Sequence, residues 1–143
     1  DYHRQHTPVG GRVLEARVIH GQVYLEVRAV VEQDGSHVLK GFRQFDIPDE
    51  AGYEFAQTRG LIVLDTPIGL VAVLPMGMSQ VSSVIVTAQV GTTLRKGEEI
   101  SYFQFGGSDI VMLFEAASNV SFTAQTDVHY KQGTTIAHAF PVL

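Results

Sequence analysis

The chain has 143 residues, enough for one domain with a real core, and 45% of them are apolar. Its formal charge of −5 argues against a nucleic-acid partner and weakly against anionic membrane surfaces. It has no cysteine, which excludes disulfides and thiol catalysis, and no run of the roughly 18 apolar residues that a membrane-crossing helix needs.

Residues 12–19 and 22–31 read as strands, with His20-Gly21 as the turn between them. Asp34-Gly35 is a strong hairpin signal, so residues 38–45 are expected to return as a strand. Residues 46–52 form a loop, and residues 50–58 are the one stretch with helical character. Leu61-Ile62-Val63-Leu64 and Leu70-Val71-Ala72-Val73-Leu74 are buried-strand candidates, joined by a turn over 65–69 that Pro67 and Gly69 mark. Residues 81–90 make a further strand and residues 91–99 a polar loop.

Tyr102-Phe103-Gln104-Phe105 and Ile110-Val111-Met112-Leu113-Phe114 then flank the corner Gly106-Gly107-Ser108. Both arms are rich in the aromatic and β-branched residues of buried strands. The corner reads either as a plain tight turn or as a bend in which strain is stored around a Ser hydroxyl. There is also a weak internal repeat: Leu94-Arg95-Lys96-Gly97-Glu98-Glu99-Ile100 against Tyr130-Lys131-Gln132-Gly133-Thr134-Thr135-Ile136. Short strands with turn chemistry between them predict an all-β fold with little helix. The repeat is similar to the flattened β-barrel or sandwich of biotinyl and lipoyl domains.

Two stretches carry a more specific resemblance. Asp1-Tyr2-His3-Arg4-Gln5-His6-Thr7-Pro8-Val9 opens the chain, and Lys96-Gly97-Glu98-Glu99 leads through the aromatic strand to Gly107-Ser108 and Leu113-Phe114. In this order they resemble the phosphatidylserine decarboxylase family, pyruvoyl-dependent enzymes that include decarboxylases of free amino acids such as tryptophan. The resemblance implies a lyase made as a zymogen. Ser108 would attack the Gly107 carbonyl in an N-to-O acyl shift, and β-elimination would cut the chain. The products would be a β chain of residues 1–107 and an α chain of residues 108–143, the latter starting in a pyruvoyl group made from Ser108. That group would form a Schiff base with phosphatidylserine or a related L-amino acid and release carbon dioxide.

By the same resemblance His6 is the base of the processing step, and His3 orients the site through a structural hydrogen bond. His3, Asp109, Met78 and Ser83 are the expected substrate contacts. No metal is expected, because His129 and His138 lack an acidic partner. The family's triad Asp lies upstream of the His motif, so a segment before Asp1 is expected as a partner, alongside the cleaved α and β chains and a homodimer. Asp109 stands where the family has Thr or Ser, and Ser82 where it has Gly. Asp109 and the acidic balance lean toward a substrate that is not a lipid. The alternatives are a family member that never cleaves, or a lipoyl-like binding or scaffold domain.

Overall fold

The computed structural model describes residues 2–21, 27–41, 57–77 and 83–142. In chain order the strands are β1 (Arg4–His6), β2 (Gly11–Ile19), β3 (Val27–Val31), β4 (His37–Gly41), β5 (Arg59–Thr66) and β6 (Gly69–Pro75). They continue with β7 (Val84–Val86), β8 (Thr93–Leu94), β9 (Glu99–Phe103), β10 (Ile110–Phe114), β11 (Val120–Phe122) and β12 (Ala137–Ala139). The helical structure among the described residues is one 3-10 turn, Ala116–Ser118. The fold is all-β, as the turn spacing predicts. The expected helix over 50–58 falls mostly outside the described residues, and neither Gln57 nor Thr58 is helical.

One sheet has five strands in the order β10-β6-β5-β2-β8, and a second has three in the order β1-β9-β7. Every strand pairs antiparallel to its neighbours. In β5 and β6 burial alternates with the period of a pleated strand. The inward residues Ile62, Leu64, Val71 and Val73 meet Val13 of β2 and Ile100 of β9, so the core lies between the two sheets. Burying each of these side chains contributes roughly 1.5–3 kcal/mol.

The turns differ from their sequence expectations in length. Thr66 pairs with Gly69, which shrinks the connection between β5 and β6 to Pro67-Ile68. Gly69 takes φ +106, and the Thr66 hydroxyl donates to its carbonyl at 2.6 Å, closing the loop. The strand expected over 81–90 is confined to Val84–Val86 within the described residues. Thr87 and Ala88 both donate their N–H groups to the Ile100 carbonyl, and this shared acceptor ends the ladder. Asp34-Gly35 turns β3 into β4 as expected, with Gly35 at φ +82. The Asp34 carboxylate accepts from both the hydroxyl and the N–H of Ser36, which hold its pKa below the ordinary value.

The internal repeat is structural and longer than the turns that suggest it. Val84–Val86 and Val120–Phe122 are strands at one constant offset, each followed by Thr-Ala-Gln. Thr123 and Ala124 donate to the Ile136 carbonyl as Thr87 and Ala88 do to Ile100. Glu98 closes on Arg95 at 3.1 Å and Thr134 on Lys131 at 3.1 Å, with Gly97 and Gly133 at φ +85 and +88. Gln104 to Ser83 and Phe140 to Asn119 finish the two copies, again at 3.1 Å each. Repeated units with the same hydrogen bonds explain why β11 and β12 form a hairpin of their own.

Candidate functional site

The Gly106-Gly107-Ser108 corner is not a hairpin within one sheet. β9 lies in the three-stranded sheet and β10 at the edge of the five-stranded one, so residues 104–109 cross between sheets. The crossing is pinned at both ends. Gln104 donates its N–H to the Ser83 carbonyl at 3.1 Å, and the Asp109 carbonyl accepts from Met76 at 2.9 Å. Phe105 takes φ +64 and Gly106 φ +131.

Within this crossing the Ser108 Oγ is buried and has no hydrogen-bond partner among the described residues. A buried hydroxyl left unpaired is costly and calls for an explanation. Gly107 precedes it, and a side chain there would have to displace His3: a Cβ would lie 2.9 Å from His3 Cδ2 and 3.0 Å from His3 Nε2. The His3 imidazole therefore rests directly against the residue whose carbonyl precedes Ser108.

His3 reaches this place because β1 is sewn to β9. Arg4 pairs with Tyr102 and Gln5 with Ser101. The His3 carbonyl accepts from the Phe103 N–H at 3.0 Å and from Gln5 Nε2 at 2.9 Å. Gln5 and Ser101 are buried, and the Ser101 hydroxyl donates to Gln5 Oε1 at 2.7 Å. On the outer face Arg4 makes two bonds to Glu99, at 2.7 and 2.8 Å, and its guanidinium sits 5.1 Å from the centre of the Tyr102 ring. Gln5, Ser101 and Tyr2 are site residues that the motif reading passed over. The strand alternation that buries Gln5 between the exposed Arg4 and the half-buried His6 is the available signal.

His6 is oriented differently. Its Nδ1 lies 2.8 Å from the Gly97 carbonyl, which only accepts, so Nδ1 carries the proton. Its Nε2 is then free to accept, and takes the hydroxyl of Tyr2, whose ring stacks on the imidazole. Gly97 is held in turn by Glu98, whose carboxylate accepts the Arg95 N–H at 2.6 Å. That bond is the main reason the Glu98 pKa falls below its usual value; burial opposes it, and the Arg95 side chain adds to it.

Asp109 is exposed beside Ser108, and Ser83 is half-buried at the base of the corner. Met78 lies outside the described residues. Among the described residues no three His, Cys, Asp or Glu side chains group in a way that would hold a metal ion.

The family profile described as phosphatidylserine decarboxylase matches residues 1–138. The chain belongs to the phosphatidylserine decarboxylase family. It is 32% identical to a phosphatidylserine decarboxylase proenzyme of Fusobacterium nucleatum over 115 residues, which is 80% of this chain and 33% of that protein. It is 29% identical to the proenzyme of that name in Chlamydia trachomatis over 147 aligned positions, 98% of this chain and 44% of the relative. It is also 28% identical to a fungal protein, decarboxylase iboD of Amanita muscaria, over 130 residues, 85% of this chain and 36% of the relative. The chain thus spans less than half the length of these relatives.

Proposed function

We propose that the protein carrying this chain is a self-processing, pyruvoyl-dependent decarboxylase, cut between Gly107 and Ser108. The observation that carries the reading is the buried Ser108 Oγ, unpartnered among the described residues, beside a Gly107 whose missing side chain leaves the His3 imidazole its place. A buried hydroxyl that bonds to nothing calls for an explanation, and a nucleophile awaiting its base supplies one here. The membership of the chain in a family whose relatives are named proenzymes supports it.

In this reading Ser108 Oγ attacks the Gly107 carbonyl carbon. Gly107 presents that carbon without a side chain in the way. The base is assigned to His3, whose ring already lies against Gly107. His6 is the base expected from the motif; its Nδ1 bonds to Gly97 and its Nε2 to the Tyr2 hydroxyl, which would have to move aside for it to take the Ser108 proton. The pyruvoyl group left on the new α chain supplies an electron sink for a substrate amine that loses carbon dioxide. In this reading the exposed Asp109 carboxylate holds the substrate ammonium. The substrate is the serine head group of phosphatidylserine or a related free L-amino acid.

The test is the intact mass of the full-length protein under denaturing conditions, beside Ser108→Ala, His3→Ala and His6→Ala. Two chains that break between Gly107 and Ser108, with the α chain blocked by a carbonyl, are expected for the wild type. Ser108→Ala stays whole, and His3→Ala slows cleavage by about 10²–10⁴-fold, the usual weight of a general base. A wild-type chain that never breaks defeats this function and leaves the scaffold reading.

A further inference from the structure

Among the described residues, three that are not glycine have positive φ: Asn119 at +44, Asp127 at +61 and Phe105 at +64. Asn and Asp tolerate the left-handed region because their short polar side chains bond nearby backbone. Phe has no such means, and the conformation costs it energy. Burial does not offset that cost, because Phe105 is 82% exposed. The conformation is imposed from the ends of the crossing. The Gln104–Ser83 and Asp109–Met76 bonds fix where it starts and stops, and His3 closes off one side at Gly107.

We infer that Phe105 is a positioning residue that stores conformational energy in the uncut chain and releases it as the Gly107–Ser108 bond breaks. The inference rests on the self-cleavage reading above. In that step a bond forms between Ser108 Oγ and the Gly107 carbonyl carbon while the bond from that carbon to the Ser108 nitrogen breaks. The hydroxyl proton ends on that nitrogen, which becomes a free amine. An ester replaces an amide, an exchange that is ordinarily uphill. The ester path from Gly107 to the Ser108 Cα runs through Oγ and Cβ, one atom longer than the path through nitrogen, so the crossing slackens. β-Elimination then removes the Ser108 Cα proton and breaks the Cβ–Oγ bond. Gly107 leaves as a carboxylate, and residues 105–107 become a chain end free to relax. Energy held in Phe105 before the shift and absent after it drives the exchange forward.

The experiment places Phe, Ala, Asn and Gly at position 105 of the full-length protein and follows cleavage by intact mass. All three substitutions delete the ring, but the cost of φ +64 falls in the order Ala, Asn, Gly. Phe105→Ala is expected to cleave within about twofold of wild type. Phe105→Gly is expected to be about tenfold slower, which corresponds to roughly 1.4 kcal/mol, with Phe105→Asn between them. In the uncleavable Ser108→Ala background the Gly version is expected to melt above the Ala version. Slower cleavage in a more stable protein separates stored strain from ordinary structural damage, which lowers both. Equal rates for Ala and Gly overturn the inference, whether both match wild type or both lose with the ring. If the wild type stays whole, the cleavage reading falls by itself. The melting comparison then still judges Phe105, and Gly no more stable than Ala overturns the stored energy.

Discussion

His3 of the N-terminal motif and Gly107 of the corner are in contact, with the place of a Gly107 Cβ only 2.9 Å from His3 Cδ2. Residues far apart in the chain meet because β1 pairs with β9 and brings the His3 carbonyl onto the Phe103 N–H. Gly107→Ala is expected to push the imidazole off the Gly107–Ser108 peptide. A displacement near 1 Å costs about 100-fold in a positioned reaction. The time course of chain cleavage on denaturing gels measures it, and near wild-type cleavage would remove His3 from the reaction.

Ser101→Ala tests the support beneath that contact. It would leave Gln5 Oε1 buried without its 2.7 Å donor, at a cost of roughly 1–3 kcal/mol. The urea midpoint is expected to fall accordingly. Combining it with Gln5→Met removes both polar partners and is expected to recover part of the loss, since the His3 carbonyl keeps its bond from Phe103. A double variant less stable than Ser101→Ala would show that Gln5 acts through something other than this pair.

The all-β class and the Asp34-Gly35 hairpin were legible in the sequence because each depends on local chemistry, and the two ends of the candidate site through their resemblance to family motifs. Gly35 needs a positive φ, and the apolar runs of β5 and β6 announce themselves. The repeated turns at Gly97 and Gly133 were also visible, but the full repeat needed the shared carbonyls of Ile100 and Ile136 to be seen. What sequence did not disclose is non-local. That the two arms of the corner belong to different sheets follows from pairing partners, not from composition. Which histidine faces Gly107 depends on how Gln5 and Ser101 seat β1, and two histidines three positions apart look alike in a motif.

Acid should weaken the turn behind His6. The Glu98 carboxylate has a pKa below its ordinary value in the folded chain, chiefly because it accepts the Arg95 N–H. The unfolded chain therefore binds the proton more readily than the folded one. The contribution is fully present above the unfolded value near 4.3 and is lost as pH falls through the lower folded value. Glu98→Gln is expected to lower stability modestly in the neutral region, where the ionised carboxylate contributes, and to change little at the acid end, so that the acid limb of the profile flattens. An unchanged acid limb would place the pH dependence on other carboxylates.

Gly97 and Gly133 make the last comparison, because the repeat gives them the same backbone and different work. Both sit near φ +85 at the same step of the same turn, each with open space where a Cβ would go. Alanine at either is therefore a matter of conformation alone, at roughly 1 kcal/mol, and the two melting shifts are expected to match. Only Gly97 holds a histidine, however, through its carbonyl to His6 Nδ1 at 2.8 Å. Gly97→Ala is expected to slow cleavage as the turn shifts, while Gly133→Ala leaves the cleavage rate within about twofold of wild type at temperatures where both remain folded. Matched stabilities with unmatched rates assign His6 a part in the site through Gly97. Matched rates would reduce that hydrogen bond to a fastening of β1.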